Sequence, residues 1–176
     1  MAYRFTVDDY HRMAEAEVFG PEERVELLDG EVMWMTSIGS RHAGCVNRLT
    51  RHFVVGVGDR AVVAVQNPIQ IGDFSEPQPD LVLLQPQADF YAGHHGLPPD
   101  VFLIVEVSDT SLVYDLRRKA PLYVAGGIPE VWVVDLGARV VHVSTAEGTR
   151  QLVPGHTLAP QAFPDLTFDV AADILG

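Results

Sequence analysis

The stretch whose reading decides the fold is "PDVFLIVEVS", residues 99–108. It is a near-continuous apolar run that opens behind prolines and Asp100 and carries a single acid inside it, Glu106. A second run of the same kind, "QPDLVLLQP", occupies residues 78–86, with Asp80 at its entrance. Short apolar runs bounded by prolines read as strands buried on both faces, not as strands with one wet face. Outward from this pair, "YDLRRKAPLYVAGG" (114–127) reads as a helix that stops at Gly126-Gly127, with Pro121 near its first turn or kinking it. "EVWVVDLGARVVHVST" (130–145) gives two further strands joined at "DLGAR". Upstream, "RHAGCVNRLTRHFVVGV" (41–57) is helical, with Val46, Leu49 and Phe53 on one face and Arg48 and Arg51 off it. "AVVAVQNPIQIG" (61–72) reads as a strand broken by Pro68. "RVELLDGEVMWMT" (24–36) is a hairpin about Asp29-Gly30, and "TVDDYHRMAEAEV" (6–18) a short helix capped by Thr6. The tail, 151–175, holds short apolar pieces between Pro154, Pro160 and Pro164. The sum is an α/β domain spanning 1–176: a central mixed sheet, one helix before the buried strands and one after.

Composition narrows the function. The 176 residues are 47% hydrophobic and 20% charged, which is globular rather than disordered. The apolar runs are too short to span a bilayer, no signal peptide is visible, and the expected home is the cytoplasm. A single cysteine, Cys45, excludes an internal disulfide and a cysteine-based zinc site, and reads as a small core residue. The net charge of −12 opposes bulk electrostatic grip on nucleic acid. It leaves room for a local basic patch, or for an acidic site offset by bound metal.

Glu106 is the most informative residue. An ionised carboxylate in a buried strand costs several kcal/mol unless a cation, an arginine or backbone donors compensate it. The simpler account places it at the strand end, in solvent or paired with an arginine. Asp80 alone is ordinary Pro-Asp turn chemistry. Taken together, the two residues place one carboxylate on each of two buried strands that the sheet can bring close. Two such groups repel unless a cation lies between them, and oxygen donors suit Mg²⁺ or Mn²⁺.

Lys119 is the only lysine, against eleven arginines. It lies on the helix leaving the Glu106 strand, and Asp115, Lys119 and Tyr123 are spaced four apart on one helix face. A surface Asp115–Lys119 ion pair would be worth only about 0.3–0.5 kcal/mol and would not explain why lysine stands where arginine would serve. Lysine is a compact point donor, whereas arginine is a planar fork.

At these residues the chain resembles the PD-(D/E)XK phosphodiesterase superfamily, and more closely the Uma-two family, a group described as restriction endonucleases. "VELLDGEVMWM", His42, "SEPQPDLVLL", "FLIVEVSDTS", "DLRRKAPLYVAGGIPEVWVVD" and "LAPQAFPDLTF" match in order over nearly the whole chain. The resemblance implies a restriction-endonuclease-like core. Pro79-Asp80 would supply the first acid and Glu106 the second. The superfamily lysine would fall two residues later, where this chain has Ser108; Lys119 fits a lysine moved to the following helix. On that reading Asp80, Glu106 and the backbone carbonyl of Val107 hold Mg²⁺ (or Mn²⁺). Lys119 orients the attacking water or stabilises charge on phosphorus, and Glu26 is a further acid near the metal. The implied substrate is DNA and the implied assembly a homodimer, which would concentrate arginines along a groove.

Other signals are weaker. His42 reads as a phosphate contact, a partner to a metal ligand, or a polar helix start. Adjacent His94 and His95 sit in a loop and point apart, which disfavours a ligand pair. Trp34 and Trp132 read as core or dimer-interface anchors. Arg117 and Arg118, with Arg48 and Arg51, form the one plausible phosphate patch, their default being a solvated helix face. Three functions compete: a metal-dependent endonuclease, a catalytically inactive nuclease-fold binding module, and a metal-dependent hydrolase of small phosphate esters.

Overall fold

The structure is a computed structural model that describes residues 2–176. Its centre is a six-stranded mixed sheet. The strands are β3 (Val62–Val65), β4 (Leu81–Leu84), β5 (Val101–Ser108), β6 (Val131–Asp135), β7 (Val140–Thr145) and β8 (Gly148–Leu152). They lie in chain order, every neighbour pair antiparallel except β5–β6, which is parallel. The parallel step needs a crossover, and the helical segment 112–125 provides it.

Both faces of the sheet are covered, as the unbroken apolar runs require. Leu103, Val105 and Val107 point to one face, where Cys45, Leu49 and Phe53 of α2 (Ser40–Val57) and the C-terminal residues Phe168 and Ile174 cover them. Ile104, Val131 and Val133 point to the other, under Ala120 and Tyr123 of α4 (Ala120–Ala125) and against Ile69 and Ile71. The strand period of two therefore sends Glu106 and Ser108 towards the crossover helix. Trp132, fully buried, packs with Phe53 and Phe168 at centroid distances of 5.8 and 5.7 Å, within the favourable range for aromatic pairs.

The N-terminal part is a separate layer. The hairpin β1 (Val25–Leu28) and β2 (Glu31–Trp34) turns at Asp29-Gly30, both at positive φ (51° and 79°), the two-residue turn whose twist matches antiparallel strands. α1 (Val7–Glu15) starts in a capping box between Thr6 and Asp9 and covers the hairpin through Val7 and Tyr10. Backbone bonds between Leu27 and Glu76 tie the hairpin to the loop ahead of β4.

Three expectations change. The strand expected over 61–72 ends at Val65, because Gln66 takes a left-handed φ of 55° and Pro68 cannot donate. The helix expected over 114–127 begins earlier and is composite: α3 (Leu112–Tyr114), a π turn (Asp115–Lys119), then α4. Pro121 has no N–H for the α-helical ladder, and directly upstream the Ala120 N–H bonds five residues back, to Asp115. The sheet also gains β8, whose "GTRQL" shows no apolar alternation because it is an exposed edge strand with an arginine on it. Short β9 (Thr157–Leu158) and β10 (Phe168–Asp169) pair within the Pro-rich tail, which closes in a π-helical turn, Val170–Leu175. No helix among the described residues is long and apolar enough to cross a membrane.

Candidate functional site

The antiparallel register sets Leu81 opposite Val105, so the start of β4 and the end of β5 lie at the same end of the sheet. There the two sequence-predicted acids meet. The Val107 N–H donates to Asp80 Oδ2 at 2.8 Å, tying the acid just ahead of β4 to the strand that carries Glu106. Alternation along β5 explains why this donor is free. Ile104 donates to Glu130 and Ser108 accepts from Leu136, so the even-numbered peptide groups face β6. Odd-numbered groups face β4, whose first residue, Leu81, pairs with Val105; the Val107 carbonyl therefore leaves β5 beyond the ladder, on the Asp80 side.

Lys119 comes in from the crossover helix. Its Nζ lies 2.8 Å from Glu106 Oε1 and 3.1 Å from Glu26 Oε2. The three residues are 4%, 3% and 2% exposed, so this is a buried ion cluster and not a surface pair. Glu26 is accordingly not an edge-strand surface acid. It accepts a further bond from the Gln78 N–H at 3.0 Å and one from the Tyr114 hydroxyl at 3.3 Å. Asp115 is not the partner of Lys119. It accepts from the hydroxyls of Ser108 and Ser111, so Ser108 clamps the start of the helix. Tyr123, one turn past Lys119, donates to Glu106 Oε1 at 2.6 Å.

The electrostatics follow from burial. Burial pushes the Glu106 carboxyl up to about 8, with Lys119 opposing and Asp80, Asp115 and Glu26 adding to it. Burial alone would lower Lys119, but Glu106 and Glu26 more than offset that and hold it above its ordinary value, so it stays charged. Burial, and then the Glu106 charge, raise the Tyr123 phenol well above the usual range, so it remains a donor. His42, in the first turn of α2, bonds through Nε2 to Asp80 Oδ2 at 2.9 Å. That bond raises its pKa against the opposing effect of burial. Because Asp80 can only accept, Nε2 carries the proton; Nδ1 is buried with no hydrogen-bond partner.

Apart from Ser108 and Tyr123, these groups line a cavity of about 360 Å³ between the hairpin, the start of α2 and the crossover helix. Trp34 stands here at 66% exposure, on the wall and outside the core, while Trp132 is the core residue expected. Arg24 is the arginine on this wall. The predicted arginine patch is not assembled: Arg118 pairs with Glu31 at 2.9 Å, whereas Arg48 donates to the Ile174 carbonyl. His94 turns its Nδ1 to the His95 carbonyl, so the two histidines do not form a pair.

The family model that matches residues 7–171 is Uma2, described as "Putative restriction endonuclease". The chain belongs to the Uma2 family. Among solved structures, a "putative nuclease belonging to DUF820" from Anabaena variabilis is similar over 97% of both chains, with a TM-score of 0.79 and 14% identity. At that identity the likeness shows the fold alone. A comparison with curated proteins found no match. For this Uma2 chain the donor set fits a hard dication. Among the described residues, Asp80 Oδ1 and Glu106 Oε2 accept no hydrogen bond, and the Val107 carbonyl points to the same edge, giving three oxygens of the kind Mg²⁺ and Mn²⁺ take. Sequence reasoning named Asp80, Glu106, Lys119 and Glu26, and the fold brings all four to one cavity. It did not assign roles to Tyr114, Gln78 or Arg24. Tyr123 was legible only through its spacing of four from Lys119.

Proposed function

We propose that this protein is a divalent-metal-dependent nuclease that hydrolyses DNA phosphodiester bonds. The observation that carries the reading is the convergence of half-buried Asp80, ahead of one strand, with buried Glu106 on the next and buried Lys119 on a helix, onto one cavity wall. Asp80, Glu106 and the Val107 carbonyl would hold Mg²⁺ or Mn²⁺. The ion supplies Lewis acidity and lowers the pKa of a bound water. Lys119 Nζ, a point donor held by Glu106 and Glu26, donates to the attacking water or to a phosphoryl oxygen as charge develops on it. Tyr123 and His42 fix the orientations of Glu106 and Asp80, and Tyr114 does so for Glu26. Arg24 offers a phosphate contact on the same wall.

The test is cleavage of supercoiled and linear DNA by metal-stripped protein, with Mg²⁺ or Mn²⁺ added back. Cleavage is expected with either ion and is lost in Asp80→Ala, Glu106→Ala and Lys119→Ala. Activity that survives all three removes the mechanism. Lys119→Arg keeps the charge and changes the shape, so it is also expected to be inactive. The net charge of −12 favours a second reading, hydrolysis of a small phosphate ester, which needs no basic groove. A panel of nucleotides and aryl phosphates separates the two, since turnover there without DNA cleavage replaces the first. We also propose a homodimer, in which a second copy would add arginines along the DNA path. Light scattering that gives a monomer at working concentration rejects it.

A further inference from the structure

Away from this cavity, three side chains from distant parts of the chain converge. They are His11 on α1, Glu76 in the loop ahead of β4, and His95 in the loop 85–100. One ligand atom from each lies within 4.8 Å of the others. We propose that they form a second metal site, for a borderline divalent ion of which Zn²⁺ is the first choice.

Glu76 is the fixed ligand. It is 4% exposed, and its backbone is bound on both sides to Leu27, the Glu76 N–H at 2.8 Å and the carbonyl at 3.4 Å. Its carboxylate receives one side-chain partner among the described residues: His11 Nε2 stands 3.0 and 2.8 Å from its two oxygens, a position shared between both. A carboxylate buried this deeply needs a cation or several donors, and His11 is its one side-chain partner among the described residues. His95 makes no side-chain hydrogen bond among the described residues, and its ring stands edge-on to that of His11 at 6.3 Å. Its backbone is held, since Gly96 bridges to Ile69 and accepts from Gln70. Both imidazoles are solvent-exposed, so small χ rotations can bring them in.

Two imidazoles and a carboxylate form a donor set that zinc takes, with bonds of about 2.0–2.2 Å and a fourth position open to water. Hard Mg²⁺ prefers the all-oxygen set of Asp80, Glu106 and Val107, so ligand chemistry separates the two sites. An ion here would cross-link α1 and the 85–100 loop to the segment 76–80. That segment carries Gln78, which bonds Glu26, and Asp80. The sequence disfavours a His94–His95 pair, and the structure brings His95 beside a histidine 84 positions upstream.

The experiment uses tag-free, metal-stripped full-length protein bearing Asp80→Ala and Glu106→Ala, so that the oxygen site is disabled whatever its function. Zn²⁺ is titrated calorimetrically, and Co²⁺ is followed by its visible absorption as a report on nitrogen ligation. One ion per chain and a rise in Tm with Zn²⁺ are expected. Adding His95→Ala, on an exposed loop, or His11→Ala is expected to weaken binding at least tenfold and to remove the Tm rise. No binding in the double variant, or binding unchanged by both histidine substitutions, overturns the site. Neither outcome depends on nuclease activity, so this proposal and the catalytic one fail separately.

Discussion

Replacing Lys119 by methionine tests the site's electrostatics without needing a substrate. Methionine keeps an unbranched apolar stem and removes the charge. In the native protein the ammonium lies 2.8 Å from Glu106 and 3.1 Å from Glu26, with all three residues under 5% exposed. Removing one partner of a buried ion pair typically costs about 3–5 kcal/mol, because a desolvated charge is left behind. For a chain of 176 residues each kcal/mol moves Tm by about 2–4 °C, so a fall of roughly 6–20 °C is expected. The loss depends on pH. Glu106 already holds its proton up to about 8, and a neutral carboxyl needs no counterion. The gap between Lys119→Met and wild type is therefore smaller near pH 6, where the loss falls on Glu26, and widens as pH rises through 8 and Glu106 ionises as well. Differential scanning calorimetry of metal-free protein at pH 6, 7.5 and 9 measures it. A gap under about 2 °C at pH 9, or one that does not change with pH, refutes the buried-cluster account.

Four other outcomes follow from the structure. Burial raises Glu106 from 4.5 to about 8, so between those values the native state keeps a proton the unfolded state has released; this group's contribution to stability falls as pH rises through that window. Metal binding needs the carboxylate, so Mn²⁺ affinity measured by calorimetry should rise by up to about tenfold per pH unit to pH 8 and then level, while Glu106→Gln should flatten that dependence. His42→Ala removes the side-chain bond to Asp80 and should weaken Mn²⁺ binding about 10–100-fold with the fold intact by circular dichroism; unchanged affinity would mean that His42 does not position the ligand. Phe53→Ala empties the aromatic cluster with Trp132 and Phe168 and should cost about 3–5 kcal/mol in urea unfolding, far more than any exposed position on the same helix.

The sheet was legible because its decisive strands are covered on both faces. "LVLL" and "VFLIVEVS" carry the burial in their composition, and the hairpin carries its turn in Asp29-Gly30. What escaped reading has a physical common cause. β8 is an edge strand with exposed side chains, so no apolar pattern marks it. The break at Gln66 depends on the loop 69–77 folding back, with Ile71 bonding Ser75 and Ile69 bonding Pro77. At the site, acids were visible because they interrupt apolar runs. Arg24, Gln78 and Tyr114 were not, because each stands in an unremarkable local context and is recruited by tertiary proximity alone.

The position of the lysine can be explained from the strand upward. Glu106 and Ser108 share a face of β5, so a lysine at 108 would share that face but would stand where the crossover helix begins. Ser108 instead fixes that beginning, by donating to Asp115 at 2.7 Å. From Asp115, one turn of helix reaches Lys119 and a second reaches Tyr123, and both return to Glu106 Oε1. The turn that spans 115–119 is a π turn, five residues per hydrogen bond, which changes the angular position of everything after it. Pro121 makes that widening compatible with the chain because it asks for no donor bond of its own. The serine at 108, the π turn, Pro121 and the lone lysine are thus parts of one arrangement. The cation at the site comes from the helix, and Ser108 on the strand holds that helix in place.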